Sequence, residues 1–327
     1  MPLNKSIKKL LGIILRVGIS IALLVFLFGQ VDGKALFRII RGADIWLLLL
    51  AFLIFTLVYA VCLFRWEMLL KAVRVYLPVK RIIVSFSGGM FFNVFMPSTI
   101  GGDLVRSFDL AAHTKKGKEV VATVLLDRLS GYAGMVLVAV AAMIFGYRLV
   151  QDRVVVLIVL AIVALLVLIL LLLFNNFCFS KINRFFHASN SSRLMTAIKN
   201  THQELYYFRQ RKRVLFLNLA YSLFVQVVAP VSYYLIAVAL GIKTDIIYFF
   251  IFFPLIGAIT LLPISIGGLG LRDAITIYFF AKAGMAKDAA FAISIMVFFY
   301  TLLLGALGGI IYVFTLHSRR VQYHKTV

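Results

Sequence analysis

Two ten-residue stretches carry the residue types that an anion site needs. The first is Pro97-Ser98-Thr99-Ile100-Gly101-Gly102-Asp103-Leu104-Val105-Arg106, and the second is Pro263-Ile264-Ser265-Ile266-Gly267-Gly268-Leu269-Gly270-Leu271-Arg272. Pro, Ile, both Gly and the closing Arg recur at identical spacing, with a hydroxyl residue third in each. A glycine pair lets backbone turn tightly and approach a ligand closely. The N-terminus of a following helix offers free N–H groups and a partial positive charge, which suit phosphate or carboxylate. Arg106 and Arg272 fall in the first turn of those helices, where a guanidinium grips an oxyanion in bidentate fashion. The competing reading is that the Gly pairs serve close helix packing, a common use of small residues in membranes.

Other polar groups belong with these. Asp127 and Arg128 fall inside an apolar run, where charge is costly unless paired. Adjacent residues point about 100° apart on a helix, so they need not pair with each other. Asp127 is expected to neutralise Arg106, and Arg128 to meet Asp103 or the ligand; a purely structural ion-pair network is the alternative. Asn93 either donates to a headgroup or caps a broken helix, and Asp103 either binds or N-caps the helix after it. Thr99 and Ser265 bond ligand or backbone. Tyr132, Tyr221, Gln226 and Tyr300 are weaker cavity candidates. His113 and the other histidines are scattered in loops, so neither a metal nor a cofactor is expected. Cys62 and Cys178 lie in an apolar run and a basic loop, and are not expected to pair. Metalloprotease, Walker, nucleophile-elbow and Asp-x-Asp signatures are absent from the sequence.

These residues must be held by a membrane scaffold. The 327 residues are 63% hydrophobic, with apolar stretches along the whole length, which marks an all-α polytopic membrane protein. The net charge of +22 sits in short loops, so it reads as cytoplasmic loops facing anionic headgroups and not as nucleic-acid binding. Full spans are expected at about 10–29, 45–64, 119–145, 154–174, 214–241 and 288–315. A mixed loop is expected at 30–44 and a basic connector at 65–81. Segments 82–97 and 246–263 are too short and broken to cross. With 103–112 and 271–281 they read as two re-entrant hairpins whose tips carry the repeated stretch. A basic amphipathic segment is expected at 175–213, with Leu194, Ile198, Thr201, Leu205 and Phe208 on one face. With six spans and two hairpins, most of the 34 Lys and Arg fall on one side, which places both termini in the cytoplasm. Segment 30–44 is more basic than an outer loop should be. The hairpins then enter from opposite faces as an inverted repeat, with half-repeats at about 10–145 and 154–315 in one domain. Matching broken segments of this kind point to a binding site at the membrane midplane. The second half has no charge matching Asp127, around 293–298, so the first copy is expected to dominate.

In order along the chain, Asn93, Pro97-x-x-x-Gly101-Gly102-Asp103-x-x-Arg106, Asp127-Arg128, and Pro263-x-x-x-Gly267-Gly268-Leu269-Gly270-x-Arg272-Asp273 resemble the flippase-like membrane domain of lysylphosphatidylglycerol synthases, also labelled UPF0104. The resemblance covers essentially the whole chain. It implies movement of a lipid across the bilayer. The cytoplasmic domain that transfers the amino acid from tRNA has no counterpart here, so aminoacyl transfer by this chain alone is not expected. Asp127 and Asp273 stand where many relatives carry Glu.

The function expected from the sequence is therefore translocation of an anionic or phosphate-bearing lipid across the cytoplasmic membrane, either an aminoacyl-phosphatidylglycerol or a polyprenyl-linked lipid. Asn93, Thr99, Gly101, Gly102, Asp103, Arg106, Asp127, Arg128, Ser265, Gly267, Gly268, Arg272 and Asp273 would contact it. One alternative is an enzyme of lipid modification, a lipid-linked glycosyl or aminoacyl transferase, for which Asp103, Asp127 and Asp273 are the available general bases. Another is a membrane subunit that anchors a separate lipid-modifying enzyme.

Overall fold

The computed structural model describes residues 5–96, 101–114, 116–146, 153–174, 208, 210–262 and 264–325. Among these it contains eleven helices and no strand: α1 Lys5–Gln30, α2 Gly33–Arg41, α3 Ile45–Ala72, α4 Val79–Phe95, α5 Gly101–Thr114, α6 Gly117–Phe145, α7 Arg153–Phe174, α8 Lys212–Ala239, α9 Ile246–Thr260, α10 Leu271–Lys282 and α11 Lys287–Lys325. Five of them, α3, α6, α7, α8 and α11, are long and apolar enough to cross a bilayer. A sixth joins them if α1 and α2, bent 88° to each other, count as one span. The chain is an all-helical, multi-pass membrane protein. The helices flanking the repeated stretch have only 17, 14, 15 and 12 residues. At 1.5 Å rise per residue they run about 18–26 Å, short of the ~30 Å hydrocarbon core.

Two elements differ from the sequence expectation. Segment 30–44 is no open loop: Asp32 caps α2 by accepting from the Lys34 N–H at 2.9 Å. Leu36 on α2 is buried, while Lys34, Phe37, Arg38 and Arg41 are exposed. The basic connector at 65–81 begins inside α3, which runs on to Ala72. Trp66, Leu69, Leu70 and Val73 recur at helical spacing and are buried, so packing holds the helix together past its first charges. The amphipathic helix expected within 175–213 falls almost entirely outside the described residues, and Phe208, its last apolar position, is buried.

The chain divides into two compact units. The first comprises 1–58, 83–106 and 228–327. Within it α9 and α10 form an antiparallel hairpin, closed by Phe249 on Phe280 and Phe252 on Phe279, with ring centroids 4.8 and 5.5 Å apart. Such pairs add about 0.5–1.5 kcal/mol each beyond their buried area. Glycines let α11 lie against α4: a Cβ on Gly308 would sit 2.7 Å from the Ser87 carbonyl oxygen, and one on Gly305 2.7 Å from a Val94 methyl. Lipid tails are as apolar as the side chains, so close contact, not burial from water, holds such helices.

The second unit comprises 59–82 and 107–227. A buried polar seam joins α3, α6 and α8 there. Arg65 Nε donates to Asp127 Oδ1 at 2.7 Å and its Nη1 to Ser222 Oγ at 2.7 Å. Trp66 donates to Thr123 at 3.2 Å, and Gln226 Nε2 to the Gly131 carbonyl at 3.3 Å. A Cβ on Gly134 would lie 3.1 Å from the Ser222 backbone, so α6 and α8 touch there. Breaking a buried ion pair from one side leaves an uncompensated charge and costs about 3–5 kcal/mol. Asp127→Ala is therefore expected to lower the thermal unfolding midpoint of the purified protein in detergent. Arg65→Met combined with Asp127→Leu should recover most of that loss, because both charges leave together.

Candidate functional site

The repeated stretch builds its two copies by different local means. In the first, Gly101 and Gly102 are already helical and open α5. The Gly102 N–H donates to Asn93 Oδ1 at 2.8 Å. A Cβ on Gly102 would collide with the Gly89 carbonyl oxygen, and one on Gly101 with the Met96 side chain. Residues 93 and 102 therefore meet, as do 89 and 106, so the residues of α4 and α5 form a tight antiparallel hairpin. In this copy the glycines act through packing, and Asn93 ties the two arms together.

The second copy turns instead. Gly267, Gly268 and Gly270 have φ of 57°, 78° and 78°, the left-handed region that only glycine enters at little cost. The Ile266 N–H donates to Ser20 Oγ on α1 at 3.0 Å, which fixes the outside of this turn. The two tips then meet. The Gly267 N–H donates to the Met96 carbonyl at 3.3 Å, and a Cβ on Gly267 would lie 2.7 Å from the Val94 carbonyl oxygen.

Each closing arginine is placed with an aspartate and an aromatic ring, Arg106 buried and Arg272 part-buried. Arg106 is 4% exposed, lies 3.0 Å from Asp103 Oδ1 one turn back, and stands 5.6 Å over the Phe86 ring. Arg272 lies 3.2 Å from Asp273 Oδ1 and 5.4 Å over the Phe298 ring. Asp273, 2% exposed, also accepts from the Gly270 N–H at 2.9 Å and from the Ser294 hydroxyl. Arg272 Nε donates to Ser294 Oγ at 3.3 Å. A planar guanidinium stacks on an aromatic face while its edges remain free to hydrogen-bond. The helix N-terminus of α10 and both arginines are thus already matched by carboxylates of the same motif.

The remaining expected residues are placed as follows. Ser265 is buried, and its hydroxyl has no hydrogen-bond partner among the described residues. Thr99 lies outside the described residues. Asp127 is held by Arg65, and Arg128, one residue on, is half-buried. Tyr300 donates to the Leu48 carbonyl at 2.6 Å, a helix-to-helix tie and not an open wall. Among the described residues no group of three or more His, Cys, Asp or Glu is placed to hold a metal.

Three partners escaped the sequence reading. Arg65 lies where charge alone suggests a connector, although the apolar spacing of Trp66, Leu69, Leu70 and Val73 signals a helix there. Ser294 answers Arg272 and Asp273 from the segment read as lacking a counterpart to Asp127; a serine does part of that work. Ser20 sits in the first apolar run, and nothing in its surroundings marks it.

Comparison with known proteins agrees with this architecture. A UPF0104 membrane protein of Methanothermobacter thermautotrophicus is 24% identical over 279 residues, covering 79% of this chain and 81% of that protein. Residues 13–309 match the family model described as the lysylphosphatidylglycerol synthase TM region. The chain belongs to that family of membrane domains.

Proposed function

We propose that the two glycine motifs form one headgroup site and that the protein moves a phosphate-bearing lipid across the cytoplasmic membrane. The observation that carries this reading is the contact of Gly267 with Met96, which joins two motifs that are far apart in sequence and each end in an arginine paired with an aspartate. Family membership supports a role in lipid handling. In the topology that follows, α4–α5 and α9–α10 are re-entrant hairpins between six full spans, an inverted repeat with both termini cytoplasmic. Alternating access then comes from rocking one half against the other around a fixed site.

The Arg–Asp pairing supports an exchange of partners. In the resting state Asp103 and Asp273 compensate Arg106 and Arg272, which lowers the cost of two cations at membrane depth. The lipid phosphate replaces a carboxylate on each guanidinium as it enters, and the carboxylates close again as it leaves. Ser265 supplies a further hydroxyl, and acyl or prenyl chains stay in the bilayer.

Hydrogen bonds to charged groups contribute about 1.5–3 kcal/mol each, roughly 10- to 100-fold in binding. The Arg106→Ala/Arg272→Ala variant, reconstituted in proteoliposomes with a fluorescent phospholipid, is expected to transfer lipid between leaflets at the protein-free rate. Wild-type transfer by that variant would end the proposal. The tip contact is tested separately by comparing two alanines. Both meet the left-handed backbone penalty of about 1–2 kcal/mol, but only Gly267→Ala also presses on the Val94 carbonyl. Transfer should fall several-fold further for Gly267→Ala than for Gly268→Ala, and equal rates would separate transport from the meeting of the tips.

A further inference from the structure

A second cluster of cations lies within the second unit, at the other ends of α4 and α5 from the glycine motif. Arg74, Lys80, Lys116 and Lys118 are exposed beside the ends of the membrane-length helices α3 and α6. The turns that carry them touch: Lys116 Nζ donates to the Arg74 carbonyl at 3.0 Å. Asp109 and Glu119 are the carboxylates of the same stretches, so cations outnumber them.

Arg81, in the first turn of α4, differs from its neighbours. It is 6% exposed. Its Nη2 reaches the Asp109 carboxylate and stands 3.0 Å from His113 Nδ1, both in the last turns of α5. Nε and Nη1 are also buried, yet neither has a hydrogen-bond partner among the described residues. Leaving buried N–H groups of a cation unmatched is costly, more so than for a neutral donor. The Asp109 carboxylate is engaged by Nη2. Two donor nitrogens of this guanidinium are therefore left for a further acceptor, and a phosphate oxyanion brings both acceptor oxygens and negative charge. The flanking lysines add point charges that suit phosphate. Their place at the ends of membrane-length helices is where phosphates are dense.

We propose that Arg81 is the inner contact of a phosphate site at the membrane surface, with Lys80 and Lys116 as its outer cations. The ligand class is a phosphate oxyanion, borne by a lipid headgroup or free in solution. The site is separate from the glycine motifs and does not depend on lipid movement.

Native mass spectrometry of the full chain from micelles tests this, with dioleoyl phosphatidic acid as probe and dioleoylglycerol as the phosphate-free control. The variant Arg81→Gln/Asp109→Asn removes the cation and its carboxylate together, so neither is left alone. Retention of phosphatidic acid over dioleoylglycerol is expected to fall at least tenfold, both in an otherwise wild-type chain and in the Arg106→Ala/Arg272→Ala background, where the motif site is silent. Lys80→Gln/Lys116→Gln changes only exposed residues and should weaken retention about threefold. Competition by millimolar inorganic phosphate would assign the site to the oxyanion itself, and its absence would assign it to a headgroup. Unchanged retention by a monodisperse Arg81→Gln/Asp109→Asn chain would overturn the proposal. Should that variant fail to elute as one species, unchanged retention by Lys80→Gln/Lys116→Gln would do the same.

Discussion

A guanidinium enclosed among apolar helices brings a counter-charge with it, and this requirement recurs through the described residues. Arg65 is matched by Asp127, Arg81 by Asp109, Arg106 by Asp103 and Arg272 by Asp273. The pairs differ in how far the partner comes. Asp103 and Asp273 belong to the same short motif as their arginines, so those pairs are assembled as soon as a single helical turn forms. Asp127 and Asp109 come from other helices, so those pairs hold helices together. Pairs made within one motif open without separating helices, which suits the partner exchange proposed for the headgroup site. Pairs made between helices resist such opening, which suits a frame.

The repeated motif illustrates how the same residues are put to different uses. In the first copy the Gly pair is swallowed into α5, and its value is the absence of a Cβ between two helices. In the second copy the equivalent pair leaves the right-handed region altogether and makes a turn. Identical spacing therefore does not bring identical backbone. The difference has a local cause: Leu269-Gly270 delays the start of α10 until Leu271, whereas Asp103 stands at the equivalent point of the first copy, already within α5.

Much of this was legible in the sequence. Periodicity and length identified the crossing helices and the four short arms, because apolar content and Pro/Gly interruption are local properties. The glycine–arginine motif was legible for the same reason. The partners were not. Ser20, Ser294 and Arg65 reach their contacts from segments far away in sequence, and a serine inside an apolar run looks the same whether or not it bonds a remote backbone. Charge itself misled at α3, where Arg65, Glu67 and Lys71 suggest a connector while the buried face of the same turns is apolar. Segment 30–44 misleads in the opposite way: its cations suggest a loop, although Leu36, Ile39 and Ile40 give it a helical face.

The elbow between α1 and α2 constrains how this molecule can sit. Two helices at 88° cannot both follow the bilayer normal. Where α1 stands upright, α2 lies close to the membrane plane, with Lys34, Arg38 and Arg41 turned outward around Phe37 and Asp32 tied to Asp288 on α11 at 3.0 Å. Any tilt of α1 must then lift or sink a short charged bar through the headgroup layer. Through the Asp32–Asp288 hydrogen bond, the inclination of α1 is then coupled to that of α11.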